Sequence, residues 1–482
     1  MTTIKLDPGA ALLLDALHGA GHAAYAVGGC VRDSLLGLAP HDWDLCTSAR
    51  PEQVMALFGE EKCIPTGLQH GTVTVKQGGR LYETTTFRTE GAYSDGRHPD
   101  AVCFVPDVRE DLARRDFTIN AMAYSAEEGL IDPFGGRGDL AAHLVRAVGE
   151  PERRFEEDAL RILRLYRFAA RFGFAIDPAT GAAARALGPH LDCVSAERIQ
   201  EELLKLLAAP RPGSYLEPAV LAVVLPELEP EKQPERFAEL CRTIDRIEPT
   251  AENVPTRLAA LLCPLGEAGA REALRKLKCS NALTDEVTAL EREAGGGAGS
   301  FLLGHEFELR HPADALCLER HSHPAGRCPN SNSLFPPQAA VVAVAGHSIA
   351  RPIAFGNRVP PQRTVLRETT VTPGFTIYAR RLLGKYNLCT VQRLAALGTA
   401  LQPEHAADFA ALSELAERLD ADGVCCRVSQ LAVNGRDLMA AGIPAGPDIR
   451  KVLEALLDGV IREEYPNERQ ALLAAVQQLD AS

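Results

Sequence analysis

No apolar run in this 482-residue chain is long enough to cross a bilayer as a helix, so a transmembrane anchor is not expected. The N-terminus lacks the basic, then apolar, then small-residue succession of a secretory signal, and a cytoplasmic location is therefore expected. Basic charge is not in excess. Lys and Arg number 51 against 64 Asp and Glu, and the formal charge of −13 disfavours indiscriminate coating of nucleic acid. A local basic groove stays open, and arginine greatly outnumbers lysine, which suits bidentate contacts to phosphate and base edges. The 13 cysteines form an odd, scattered set, which points to reduced thiols rather than a disulfide scaffold. No short internal repeat is found. What remains is a chain of ordinary globular composition, 46% apolar and 24% charged, long enough for three or more domains.

Local signals divide the chain. Asp7-Pro8 before GAALLLDALHGAG reads as an N-capped helix with proline in its first turn. AAYAV reads as a strand entering a turn at Gly28-Gly29; VRDSLLG is a short helix, DWDLCT a strand, and PEQVMALF a helix opening at Pro51. GTVTVKQGGRLYETTTF is a hairpin turning at Gln77-Gly78-Gly79. From about residue 151 the β signals vanish and helical periodicity takes over to about residue 300. Residues 305–378 break that pattern, rich in proline and histidine and without lysine, and a helical pattern resumes at ARRLLGKYN.

The most informative constellation is Asp42 and Asp44 in HDWDLCT, downstream of the glycine doublet. On an extended strand, residues i and i+2 share a face, so the two carboxylates project together. Hard divalent cations such as Mg²⁺ favour such oxygen ligands and keep positions for water and substrate phosphates. The turn at Gly28 and Gly29 lets a nucleoside triphosphate approach the backbone closely. Glu83 lies on a strand that can sit beside this pair, as a third carboxylate or as an exposed strand residue. Further on, Asp158 and Arg161 are three apart on a helical pattern, and Arg164, Arg167 and Arg171 continue a cationic strip. That spacing suits a base-reading Asp–Arg pair and a salt-bridged amphipathic helix equally.

AVGGCVRDSLLGLAPHDWDLCTSARPEQVMALF resembles the head of the class II tRNA nucleotidyltransferases, the CCA-adding enzymes, and of their bacterial poly(A) polymerase relatives. RRDFTINAMAY, EEDALRILRLYRFAARF and SAERIQEELLKLL follow in the family's order, and LAVNGRDLMAAGIPAGPDI returns to it near the C-terminus. The resemblance implies an α+β fold: a polymerase-beta-like nucleotidyltransferase head with a mixed sheet, then helical neck, body and tail. The expected boundaries are head 1–146, neck 147–210, body 211–304, an atypical and loosely ordered insertion 305–378, and a tRNA-binding tail 379–482. It implies that Asp42 and Asp44 hold Mg²⁺, with Glu83 the third catalytic carboxylate. Arg32 takes a structural and phosphate-facing role, whereas Asp33 serves beside it or acts only as a local cap. Arg114 and Arg115 match phosphate, Asp116 accepts from ribose hydroxyls, and Asn120 completes that wall. Asp158 and Arg161 select the base, because cytosine and adenine share an exocyclic amine beside a ring acceptor. Arg164 and Arg167 extend the nucleotide site.

The implied reaction is addition of C, C and A to a tRNA acceptor end from CTP and ATP, without a nucleic-acid template. Two alternatives stay open: a poly(A) polymerase, and a catalytically silent RNA-binding homologue. IPTGLQHGTVTV is similar to CCA-adding enzymes, and RTEGAYSDGRHPDAVCFV resembles the loop associated with the switch from C to A, although His98 departs from the usual two arginines. Cys263-Pro264 stands where many relatives carry the His-Asp of a metal-dependent hydrolase, so that second activity is not expected. Cys317, His321, His323 and Cys328 are zinc-ligand types at a spacing that matches no closed site. Oligomeric state has no signal in the sequence.

Overall fold

Asp7 opens the first helix by accepting hydrogen bonds from the backbone N–H groups of Gly9 and Ala10, at 3.0 and 3.3 Å, with Pro8 pre-set in the first turn. The structure, a computed structural model, describes residues 3–90, 102–294 and 372–479. In chain order the head comprises α1 (Pro8–Gly19), β1 (Ala24–Val27), α2 (Gly29–Leu35), β2 (Leu45–Thr47), α3 (Pro51–Phe58), β3 (Cys63–Gly67), β4 (Thr72–Gln77) and β5 (Arg80–Thr86). It continues with β6 (Arg88–Glu90), β7 (Val102–Phe104), α4 (Val108–Ala113), β8 (Ala123–Ser125), β9 (Gly129–Ile131), α5 (Gly136–Ala141) and β10 (Leu144–Val145).

Seven strands form one sheet in the order β3-β4-β5-β2-β1-β8-β9. The sheet is mixed: β2 and β5 run parallel, and the other neighbours antiparallel. The β4–β5 hairpin turns through Gly78 and Gly79 at φ 58° and 80°, the left-handed pair that a two-residue turn needs to match strand twist. Every residue of β1 is buried because both faces of this strand are covered. Ala24 and Ala26 pack in the core that holds Leu13, Leu14 and Leu17 of α1, while Tyr25 and Val27 join Phe87 and Leu112 on the other side.

The remainder is helical: α6 (Pro151–Glu157), α7 (Leu160–Phe172), α8 (Pro178–Ala186), α9 (Ala196–Leu207), α10 (Pro218–Val224), α11 (Pro234–Arg246), α12 (Val254–Leu262), α13 (Gly266–Lys276) and α14 (Asn281–Ala294). After residue 371 come α15 (Pro373–Lys385), α16 (Leu388–Leu401), α17 (Ala406–Ala421), α18 (Gly435–Ala440), α19 (Pro447–Ile461) and α20 (Arg469–Leu479). One buried apolar cluster runs from Ile4 to Cys426, and a second, smaller one joins the last three helices. Among the described residues no helix is long and apolar enough to cross a membrane.

Four sequence expectations are corrected here. The helical stretch after residue 151 contains a short strand, β11 (Ala175–Ile176), paired in parallel with β10. The segment EEDALRILRLYRFAARF is not one helix: Asp158, at φ −149° and ψ 102°, is extended and separates α6 from α7. Asp42 and Asp44 precede β2 instead of lying within it, although the Asp44 carbonyl accepts from Val27 N–H at 3.0 Å and so keeps the sheet's register. The last helical region begins at Pro373, where Thr372 caps Phe375 N–H, a start signal that the proline-rich composition around it obscured. Cys317, His321, His323, Cys328 and His98 lie outside the described residues.

Candidate active site

The glycine turn sets the site's floor. Gly28 leaves β1 at φ 76° and caps α2, and a Cβ there would come within 2.8 Å of the Arg115 guanidinium. Only glycine tolerates both the left-handed backbone and that approach. Gly28→Ala is expected to cost about 1–2 kcal/mol of stability and to push Arg115 out of place. A melting midpoint equal to that of the wild type would contradict this reading.

On one side of the turn stand the carboxylates. Trp43 is buried while Asp42 and Asp44 on either side of it are exposed, the alternation of an extended chain. The β2–β5 register pairs Leu45 with Thr84, which brings Glu83 alongside Asp44. Asp44 opens to solvent at the cleft mouth, yet protein packs around most of it. Burial pushes its pKa up, the Glu83 and Asp42 charges push the same way, and Arg115 offsets them only in part. Asp42 leans on the exposed His41 at 2.9 Å. Among the described residues no group of three or more His, Cys, Asp or Glu is arranged to enclose a metal ion. The donor set is an open, mutually repelling carboxylate edge. That fits Mg²⁺-type binding, in which one or two carboxylates act with substrate phosphates to complete the shell.

On the other side, the arginines are mostly engaged. Arg32 is buried, donating to Asp33 (2.8 Å) and Asn120 (2.5 Å), and its guanidinium stacks 4.9 Å from the Phe172 ring. Arg32 is thus a brace between α2 and α7 as well as part of the cleft wall. Asp33 pairs with Arg32 at 2.7 Å and with Arg171 at 3.3 Å. Arg114 and Arg115 share Asp111, at 2.8 and 3.4 Å, but Arg115 Nε is buried with no hydrogen-bond partner. Asp116 accepts from Asn120 (3.0 Å) and twice from Arg164 (2.9 and 2.6 Å), tying the head to α7. Burial pushes the Asp116 pKa up, but the Arg164 charge and the Asn120 hydrogen bond outweigh it and hold the carboxylate well below the usual range.

A cleft of about 470 Å³ is lined by Gly28, Gly29, Asp44, Asp116, Asn120 and Asp158 together with Arg32, Arg114, Arg115, Arg161, Arg164 and Arg198. Asp42 and Glu83 flank it rather than line it. Asp158 and Arg161 both face it, but they are not an ion pair. Arg161 donates to Glu157 (2.8 Å) and to the carbonyls of Arg154 and Arg114 (both 3.1 Å), whereas Asp158 takes Arg198 of α9 at 2.9 Å. Arg167 does not line the cleft: it is held by Glu202 at 2.5 Å and stacks 4.0 Å over Phe168. Arg198 and Glu202 lie in SAERIQEELLKLL, where the i, i+4 spacing of an arginine and a glutamate was the available signal that they share a face. A larger cavity of about 740 Å³ between α14 and α16 is also rich in cations. There Arg271, Arg292 and Lys385 are paired with Asp285, Glu267 and Glu293, so it reads as an inter-helix salt-bridge network.

Known proteins match the chain along most of its length. Residues 24–146 match the model of the poly A polymerase head domain, residues 173–231 that of a probable RNA and SrmB-binding site of polymerase A, and residues 375–476 that of a putative tRNA nucleotidyltransferase domain 2. The CCA-adding enzyme of Levilactobacillus brevis is 32% identical over 464 residues, covering 96% of each chain. That of Leuconostoc citreum is 45% identical over 257 residues; this alignment takes in 53% of the present chain and 63% of the relative's length. The crystal structure of the Bacillus stearothermophilus CCA-adding enzyme in complex with CTP superposes with a TM-score of 0.71 at 29% identity, covering 99% of this chain and 98% of that one. With near-complete coverage in both sequence and fold, the chain belongs to the family of CCA-adding enzymes.

Proposed function

We propose that this protein transfers CMP, CMP and then AMP to the 3′ end of tRNA, releasing pyrophosphate and using no nucleic-acid template. The observation that carries the reading is that Asp44 of the carboxylate edge shares one cleft with Asp158 and Arg161. The family's chemistry depends on a divalent metal in general, and Mg²⁺ is assigned here because an open pair of carboxylates suits it. Asp42 and Asp44 would hold the ion, which when bound neutralises triphosphate charge and favours ionisation of the attacking 3′-hydroxyl. Glu83 adds negative charge beside Asp44. Gly28 and Gly29 let the triphosphate approach, Arg32 braces the wall behind them, and Arg115, whose guanidinium lines the cleft beside Gly28, faces phosphate.

Asp116 and Asn120 present the face for the ribose, with Arg164 holding Asp116 in place. Asp158 accepts from the exocyclic amine common to cytosine and adenine, and Arg161 donates toward the adjoining ring acceptor. Uracil and guanine present a carbonyl where the amine is required, and a carboxylate repels it. Arg167 stiffens α7 through Glu202. The helices after residue 372 would hold the tRNA by its backbone and shape more than by sequence. The cytoplasm is the matching compartment.

The test is incubation of the protein and Mg²⁺ with tRNA transcripts ending before CCA, with CTP and ATP supplied separately and together. Two C and one A are expected. A long A tail formed without CTP would favour a poly(A) polymerase, and tRNA binding without incorporation would mark a silent homologue.

A further inference from the structure

We infer that Arg198 is a positioning residue for base selection, holding the Asp158 carboxylate in its reading orientation. This rests on the assignment of Asp158 as a base reader. Asp158 sits on extended backbone between α6 and α7, so no helix geometry fixes where its side chain points. Two contacts do so. One oxygen, Oδ1, accepts from the Leu160 N–H at 3.1 Å, starting α7, and the other, Oδ2, accepts from Arg198 Nη2 at 2.9 Å.

The nearer arginine does not hold it: Arg161 gives Nη1 to Glu157 and the Arg154 carbonyl and Nη2 to the Arg114 carbonyl, which keeps it off Asp158 and leaves Nε and one Nη2 hydrogen for a base. The Asp158 and Arg198 side chains are 15% and 21% exposed, which limits the screening of their attraction by water and salt. A carboxylate oxygen has two lone pairs, so Oδ2 can accept from Arg198 and from a nucleobase amine together. Arg198 thereby fixes a hydrogen-bond acceptor facing the cleft. One turn further along α9, Glu202 anchors Arg167 at 2.5 Å and approaches Arg164 at 3.7 Å. One face of α9 therefore sets the cleft side of α7 at two points, and Arg198 is the point that touches the selecting group.

The experiment compares wild type, Arg198→Met, Arg198→Lys and Asp158→Ala with each of the four nucleoside triphosphates supplied singly, on tRNA lacking CCA to read CTP and on tRNA ending in CC to read ATP, with UTP and GTP as competitors on both. Arg198→Met is expected to raise KM for CTP and ATP about tenfold and to narrow their advantage over UTP and GTP, with kcat changed by less than about threefold. Arg198→Lys keeps the charge and should recover most of the KM, including where the methionine variant melts earlier. An unchanged KM for CTP and ATP in Arg198→Met overturns the inference, as does an equal loss of kcat for all four nucleotides. If Asp158→Ala keeps full discrimination, the base-reading assignment falls and takes Arg198 with it. If Asp158→Ala loses discrimination while Arg198→Met keeps it, the role of Arg198 alone is wrong.

Discussion

Replacing Asp44 with alanine is expected to lower nucleotide incorporation by about three orders of magnitude or more while the fold stays intact. The carboxylate faces the cleft and makes no structural hydrogen bond; its part in the sheet is played by its backbone carbonyl, which any residue supplies. In the absence of divalent cation its charge is a cost, because burial and the Glu83 and Asp42 charges raise its pKa above the ordinary 3.8. The folded state holds the proton to higher pH than the unfolded one, so stability falls as pH rises from 3.8 through the raised value. At pH 7 without metal, Asp44→Ala should therefore melt no earlier than wild type. Asp42→Ala should lose activity comparably, since a single carboxylate leaves the cation underligated. Retained incorporation in Asp44→Ala, measured on tRNA lacking CCA, would remove the proposed metal site.

The second large effect is on stability and lies far from the cleft. Arg257 of α12 is fully buried. Its guanidinium donates to the carbonyls of Leu207 (2.6 Å), Ala209 (2.5 Å) and Ile247 (2.6 Å), with a longer contact to Pro210 at 3.5 Å. Burial pulls its pKa down, and the Asp245 charge opposes the shift. Leu207 ends α9, so a fixed cation sits at the negative end of that helix and satisfies carbonyls that no later turn can reach. Arg257→Met fills similar volume but strands those carbonyls in a dry interior. A loss of about 3–5 kcal/mol is expected, read as a lower urea midpoint at unchanged slope. A change below about 1 kcal/mol would mean that water or repacking satisfies the carbonyls. Because α9 also carries Arg198 and Glu202, the folded fraction of this variant should show weakened nucleotide selection as well.

Much of the head was legible because its signals are local. A cap residue before proline, a Gly-Gly between alternating strands and a glycine doublet after an apolar strand each act within a few residues. The Asp42/Asp44 pair was legible for the same reason. Its exact placement was less so: the strand assignment overreached by including the two aspartates, which precede β2. Helix EEDALRILRLYRFAARF misled because its arginine stripe suits an unbroken helix, and nothing in the string shows that Asp158 is needed to cap α7.

Sequence by itself determined the mixed-sheet head followed by helices, the glycine turn, the carboxylate edge and the family, since all are carried by contiguous strings. Tertiary structure decided the partners. Asp158 joins Arg198, 40 residues away, and Asp116 joins Arg164, 48 residues away. Arg167 turns to Glu202, and Arg257 closes the end of α9. In a chain with many arginines and aspartates, spacing names the candidates for each ion pair. Which pairs form depends on the elements that packing brings together, and that packing is set by apolar contacts spread from Ile4 to Cys426.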